Sequence, residues 1–257
     1  MTVFQVENLT LAFGRNVVQQ GLSLPEIGSG AVVGLLGPNG VGKSTLLRAV
    51  AGLKGYSGEI LLEGEPLGRM KPARRRALIG YLPQTLPQGT TLVAYEAVVS
   101  ACRAVRPDLS NQDVESLTEE VFRDLGIAGL AFEALNRMSG GQRQMVGLAQ
   151  VLVRKPPVLL LDEPTSALDL RWQLDVLGVI RRVTQDCRGI AIIALHDINV
   201  AMRHCDMLIV LGPDGLLTCG PPAEAMTSDI LRGAYQIDGR VEFCSRGYPM
   251  VMTDAAL

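Results

Sequence analysis

The segment Gly37-Pro38-Asn39-Gly40-Val41-Gly42-Lys43-Ser44-Thr45 constrains this chain more than any other stretch. It meets the phosphate-loop pattern G-x-x-x-x-G-K-[ST] at every fixed position. The apolar run Ala31–Leu36 before it has the length of a buried strand, and Thr45–Ala51 after it reads as a helix. A strand feeding a glycine-rich turn feeding a helix aims several backbone N–H groups, and the positive end of the helix dipole, at one place. Glycine lets that backbone approach an anion with no Cβ in the way. Gly37, Pro38, Asn39, Gly40, Gly42, Lys43, Ser44 and Thr45 are therefore expected around a nucleotide phosphate chain. Lys43 would reach the β- and γ-phosphates and Ser44 would hold Mg²⁺. The pattern implies that the chain binds a nucleoside triphosphate.

With 257 residues, one core carrying a sizeable inserted lobe fits better than two domains. An apolar share of 47% beside 19% charged residues describes a folded core and excludes a disordered chain. The net charge of −2 supplies no basic field to recruit nucleic acid or an anionic membrane. Cys102, Cys187, Cys205, Cys219 and Cys244 are scattered, never in C-x-x-C spacing, and read as reduced thiols rather than metal ligands. The opening residues have no signal-peptide pattern, and no apolar run approaches the roughly 18 residues of a spanning helix. A membrane role is thus expected to come through a partner. Lys71-Pro72-Ala73-Arg74-Arg75-Arg76 is the one basic run, read as solvated surface or as a docking edge.

Val3–Glu7, Leu9–Phe13 and Ser57–Gly64 alternate as half-exposed strands do, with a turn at Gly14-Arg15-Asn16. Ala94–Arg106, Asp113–Leu125 and Gln142–Arg154 carry apolar residues at helical spacing, so a helical lobe is expected over about 86–155. Pro156-Pro157 end it. The runs Val158–Leu161, Gly189–Leu195 and Met207–Leu211 are continuously apolar, as parallel strands covered on both faces are. Past Pro222 come a helical stretch and a terminal hairpin. The expected class is α/β: a parallel core sheet, an antiparallel β layer along one edge and an inserted helical lobe.

Three further motifs bear on chemistry. Asp162 and Glu163 end the run Val158–Leu161, and ligands of open parallel sheets collect at such carboxyl ends. Asp162 would complete a Mg²⁺ shell and Glu163 would polarise an attacking water. His196 follows the next buried strand; alone it would read as a core histidine, but its neighbours would bring it to the same crevice. Ser139-Gly140-Gly141-Gln142 opens a helix, either as a plain cap or as a second anion site without a lysine.

The order Phe13, phosphate loop, Gln84, Ser139-Gly140-Gly141-Gln142, Asp162-Glu163, Ser166-Ala167-Leu168-Asp169, His196 resembles the ATP-binding subunit of an ABC transporter, from about Val3 to Val241. The resemblance implies a P-loop NTPase core over 1–241, followed by an extension at 242–257. It also implies a head-to-tail homodimer sandwiching two ATP molecules, each between one chain's phosphate loop and the other's Ser139 segment. Phe13 would stack on adenine, Gln84 would contact Mg²⁺ and water, and Asp169 would couple the two sites across the interface. Met138, Val41 and Met145 depart from the family pattern without removing a group that touches phosphate.

The tail Ala234-Tyr235-Gln236-Ile237-Asp238-Gly239-Arg240-Val241 and the segment His196–Ala201 are similar to those of importers of iron–siderophore, haem and cobalamin. That implies an ATPase on the cytoplasmic face of the plasma membrane. It would be held there by a separate transmembrane permease and served by a substrate-binding protein, with no nucleic acid partner. Two other classes stay open: an ABC ATPase with no transport partner, and the engine of a split exporter.

Overall fold

The run Val32–Leu36 (β3) is buried at every position, as are Val158–Asp162 (β7) and Ile190–Ala194 (β8). The reason is a core layer on each face. Val33 and Leu35 of β3 join one apolar cluster, while Val32 and Leu36 join the other. Along β7 and β8 successive residues alternate between the same two clusters, following the two-residue period of a strand. A strand with no solvent face has no place for a polar residue until it ends, which is why the carboxylates come at the end of β7.

The computed structural model describes residues 2–14, 16–86, 90–213 and 215–257, with the Phe13 side chain outside that description. With Ile79–Leu82 (β6), Met207–Gly212 (β9) and Gly215–Gly220 (β10), these strands form a six-stranded sheet in the order β10-β9-β3-β8-β7-β6. Every pairing from β9 to β6 is parallel, and β10 closes the edge antiparallel to β9. The helix Lys43–Val50 (α1) leaves the tip of β3 through the glycine loop.

A second, four-stranded sheet holds Val3–Phe13 (β1), Asn16–Gly28 (β2), Ser57–Leu62 (β4) and Glu65–Pro66 (β5) in the order β2-β1-β4-β5, with antiparallel pairing. Its inward residues Phe4, Val6, Leu9 and Leu11 pack with Leu46, Leu47 and Val50 of α1 and with one face of the core sheet. The two runs expected at Val3–Glu7 and Leu9–Phe13 are one strand bent at Asn8. Asn8 has φ +47 and sits where the register with β2 shifts. Such a bulge lets the strand curl around the layer beneath it.

Pro72–Leu78 (α2) leads into β6 and carries the basic run, which is exposed as the sequence suggests except at Arg75, which is half-buried. The Arg75 guanidinium donates to the Ala49, Val50 and Leu67 carbonyls, closing the C-terminal end of α1, and Arg74 pairs with Glu65 at 2.6 Å. Ala94–Arg103 (α3), Asn111–Asp124 (α4) and Gly140–Leu152 (α5) pack together over the other face, with Leu170–Asp186 (α6) beside them. Ser110 and Asp113 close the start of α4 in a reciprocal capping box. Neither α6 nor β10 is anticipated by the sequence patterns above.

After β8 come Ile198–His204 (α7), Pro222–Ala225 (α8) and Ser228–Tyr235 (α9). The chain then runs through a separate hairpin, Ile237–Phe243 (β11) and Pro249–Ala256 (β12), which straddles residue 241. No helix among the described residues is long and apolar enough to cross a membrane.

Candidate nucleotide-binding and catalytic site

The glycine loop is shaped by conformations that only glycine adopts cheaply. Gly37 has φ +140, and a Cβ there would sit 2.4 Å from the Leu211 carbonyl oxygen. Gly42, at φ +107, caps α1 against Val18 of β2. The loop is also stapled from below. Gln19, 2% exposed, donates from Nε2 to the Val41 carbonyl at 2.7 Å and to the Gly212 carbonyl at 3.2 Å. One side chain of the antiparallel sheet thereby ties the loop to the end of β9.

Lys43 curls back over the loop, its Nζ 2.6 Å from the Gly37 carbonyl and 3.1 Å from that of Pro38. Burial holds its pKa below the ordinary lysine value, against the opposing pull of Glu163 and Asp162. Asn39, Gly40, Lys43, Ser44 and Thr45 line an open cleft of about 470 Å³ together with Val18, Gln84, Glu163 and His196. Pro38 contributes its carbonyl to Lys43.

At the end of β7 the two carboxylates diverge. Asp162 is fully buried; the Ser44 hydroxyl donates to its Oδ1 at 2.9 Å and the Tyr81 hydroxyl lies 3.5 Å from Oδ2. Burial pushes its carboxyl above the usual range, and the Ser44 bond pulls the other way. A hydroxyl and a carboxylate side by side are the hard oxygen donors that Mg²⁺ prefers, so these residues fit that ion.

Glu163 adopts φ +54, while its backbone N–H still donates to the Ala194 carbonyl at 3.2 Å. A left-handed conformation at a non-glycine residue costs about 1–3 kcal/mol and is kept where the surroundings hold it. Here Gln84 Nε2 donates to Glu163 Oε2 at 2.8 Å, and His196 Nε2 lies 2.5 Å from Oε1. The three residues come from the ends of three adjacent strands, β6, β7 and β8. A carboxylate gripped at both oxygens at the mouth of a phosphate cleft can orient a water and take its proton.

The Ser139 segment lies elsewhere. Ser139 caps α5, accepting from the Gln142 N–H at 3.2 Å, while its own N–H donates to Gln142 Oε1 at 2.8 Å. Gly140 is exposed, and a Cβ on Gly141 would come 2.9 Å from the Ala167 carbonyl oxygen. Ser139, Gly141 and Gln142 line a second cleft of about 400 Å³ with Leu168, Asp169 and Trp172. Asp169 caps α6, accepting from the Trp172 N–H at 3.0 Å. None of these residues lines the phosphate cleft. Phe13 ends β1, and the stacking expected of its ring falls outside the described residues. Gln19, Val18 and Tyr81 are the site residues that sequence patterns do not single out. Tyr81 has one signal, its place in the strand that leads to Gln84.

The ABC transporter family model matches residues 21–166. Over 258 residues the chain is 36% identical to the hemin import ATP-binding protein HmuV of Pseudomonas putida, spanning 98% of this chain and 100% of that one. It is 31% identical over 254 residues to an uncharacterised ABC transporter ATP-binding protein of Methanocaldococcus jannaschii, spanning 98% of each. The fold matches that of a metal-chelate type ABC transporter in an inward-facing conformation. There the TM-score is 0.80 at 22% identity, over 100% of this chain and 98% of the other.

Proposed function

This chain belongs to the ABC transporter family, whose ATP-binding subunits hydrolyse ATP in step with transport, and from that premise we propose that it powers import of a metal chelate through a separate transmembrane permease, working as a head-to-tail homodimer. The observation that carries the dimer is the separation of the two anion-binding ends. The phosphate cleft lacks Ser139 and Gly140, and the Ser139 cleft lacks a lysine. Two chains in a two-fold arrangement would complete both clefts at once, with Asp169 at the seam.

In this reading Lys43 and the loop amides hold the β- and γ-phosphates, and Phe13 meets the base. Ser44, Asp162 and Gln84 would hold Mg²⁺, which when bound supplies positive charge beside the phosphates. Glu163 takes the proton of the attacking water while His196 and Gln84 keep its carboxylate aligned. Lys43 and the partner chain's Ser139 segment stabilise the charge that gathers on the transferred phosphoryl group. Most of the rate would then come from position and preorganised charge.

Residues 1–241 form one ATP-binding domain in this account, and the lobe at about 86–155 meets the permease. An apolar groove of about 390 Å³ lined by Leu86, Leu92, Ala101, Val146 and Gly147 lies next to the Gln84 segment and supports that placement. The hemin import relatives favour haem as cargo. The resemblance of the Ala234–Val241 tail keeps iron–siderophore and cobalamin beside it, with delivery by a substrate-binding protein and the chain on the cytoplasmic face of the membrane. The test is affinity purification of Glu163→Gln protein from native membranes in ATP, followed by mass spectrometry. A polytopic permease with a binding protein is the expected result. Recovery of membrane-free partners alone would shift the reading to a non-transport ATPase, and a permease lacking any binding protein would shift it to an exporter.

A further inference from the structure

His196 lies between the end of β8 and a helix that cannot hold itself. It precedes α7, which has 7 residues, too short to be stable or to fix its own orientation without packing. The packing partner is the C-terminal hairpin. Asn199 of α7 donates from Nδ2 to the Val251 carbonyl at 3.2 Å, and its Oδ1 accepts from the Val251 N–H at 2.6 Å. One side-chain amide thus makes both bonds that a neighbouring strand residue would make to β12. Val251 is 5% exposed and joins the core beneath α7. One turn further on, the Arg203 guanidinium lies 4.8 Å from the centre of the Tyr248 ring, beside the start of β12. On its other side the hairpin follows α9, whose half-buried Tyr235 turns its hydroxyl to the Gly37 backbone at the entrance of the phosphate loop.

We propose that the C-terminal hairpin is a positioning element for hydrolysis: through Asn199 it fixes α7, and so keeps His196 aligned on Glu163. The inference rests on the ATPase reading above and adds to it a residue that touches neither nucleotide nor water. Asn199 stands in the first turn of α7, where its amide is free to turn outward and make its two bonds to β12. Because Asn199 acts on His196 and leaves the phosphate loop alone, its loss should lower turnover and spare ATP affinity.

Asn199→Leu removes both bonds while keeping the branched shape of the side chain, and Tyr248→Ala loosens the same hairpin at its second contact. Single-turnover hydrolysis and steady-state kinetics would be measured for each, alone and in a His196→Ala background. The expected result for Asn199→Leu is a fall in kcat of roughly tenfold, within the ~100-fold that a 1 Å misplacement can cost. ATP KM should stay within about twofold, with no further loss in the His196→Ala background. Tyr248→Ala should move kcat the same way by less, and it carries the same comparison if Asn199→Leu does not fold. An equal fall in both backgrounds, or a raised KM with kcat retained, would overturn the proposal. A wild-type protein without turnover would sink this inference and the ATPase reading together. Variants that keep the turnover of an active wild type would sink this inference alone.

Discussion

Gln19→Leu is the substitution that best separates what holds the phosphate loop from what the loop binds. The side chain is 2% exposed and donates to two carbonyls, Val41 at 2.7 Å and Gly212 at 3.2 Å, while its Oε1 is buried without a partner. Leucine fills similar space but offers no donor. Each neutral bond lost is worth about 0.5–1.5 kcal/mol, and a carbonyl left buried and unpaired costs about 1–3 kcal/mol. Removing the unpartnered Oε1 returns part of this, so the net loss should be about 1–3 kcal/mol. For a chain of this size that lowers the melting temperature by about 3–10 °C, read by circular dichroism at matched protein concentration. ATP affinity should weaken as well, because Val41 then loses its tie to the end of β9. Gln19→Glu sharpens the test: it keeps the shape but turns a carboxylate toward two carbonyl oxygens, so it should lose more than leucine does. A melting temperature within about 1 °C of wild type, with unchanged ATP affinity in both variants, would refute the reasoning.

The remaining predictions use other parts of the same site. Arg75→Ala strips the end of α1 of its charged donor and should lower stability by about 1.5–3 kcal/mol in urea titration. Arg75→Lys should recover only part of that, since an ammonium cannot span the Ala49, Val50 and Leu67 carbonyls at once. Burial raises the Asp162 pKa, so its charged form costs stability at neutral pH, and that cost is relieved as pH falls through the folded-state pKa. In the proposed site the same protonation would remove a cation ligand. Calorimetric affinity for Mg–ATP should therefore fall on acidification before that for Mg-free ATP does. Gly141→Ala drives a Cβ to 2.9 Å from the Ala167 carbonyl oxygen and must shift the Ser139 segment. Binding of ATP to one chain should survive this change, while turnover and ATP-dependent self-association measured by light scattering should drop.

Much of the fold is legible because it is written locally. The run before Gly37, the run before Asp162 and the run before His196 each specify a doubly covered strand and place the chemistry at its end. What escapes the sequence is what depends on distant partners. Gln19 reads as one more polar residue in an alternating strand, yet its two acceptors lie 22 and 193 positions away. Arg75 sits in a basic run that looks solvated until α1 is seen to end beside it. The long helix α6 is a different case, since its buried Val176, Leu177, Ile180 and Thr184 recur at helical spacing, a signal the sequence does hold. Within the site, local motifs name Glu163 and His196, and the family resemblance names Gln84. Only the parallel pairing of β6, β7 and β8 brings the three side chains together.

The central claim is that one chain carries two incomplete halves of an ATP site and that Glu163 performs the hydrolysis that parts them. Light scattering of Glu163→Gln protein, with and without ATP, tests it most directly. The substitution preserves the contact to His196 or Gln84 in shape but removes the base, so ATP should hold two chains together at twice the monomer mass, with wild type returning to monomer as it turns ATP over. A Glu163→Gln protein that binds ATP yet stays monomeric would contradict the account.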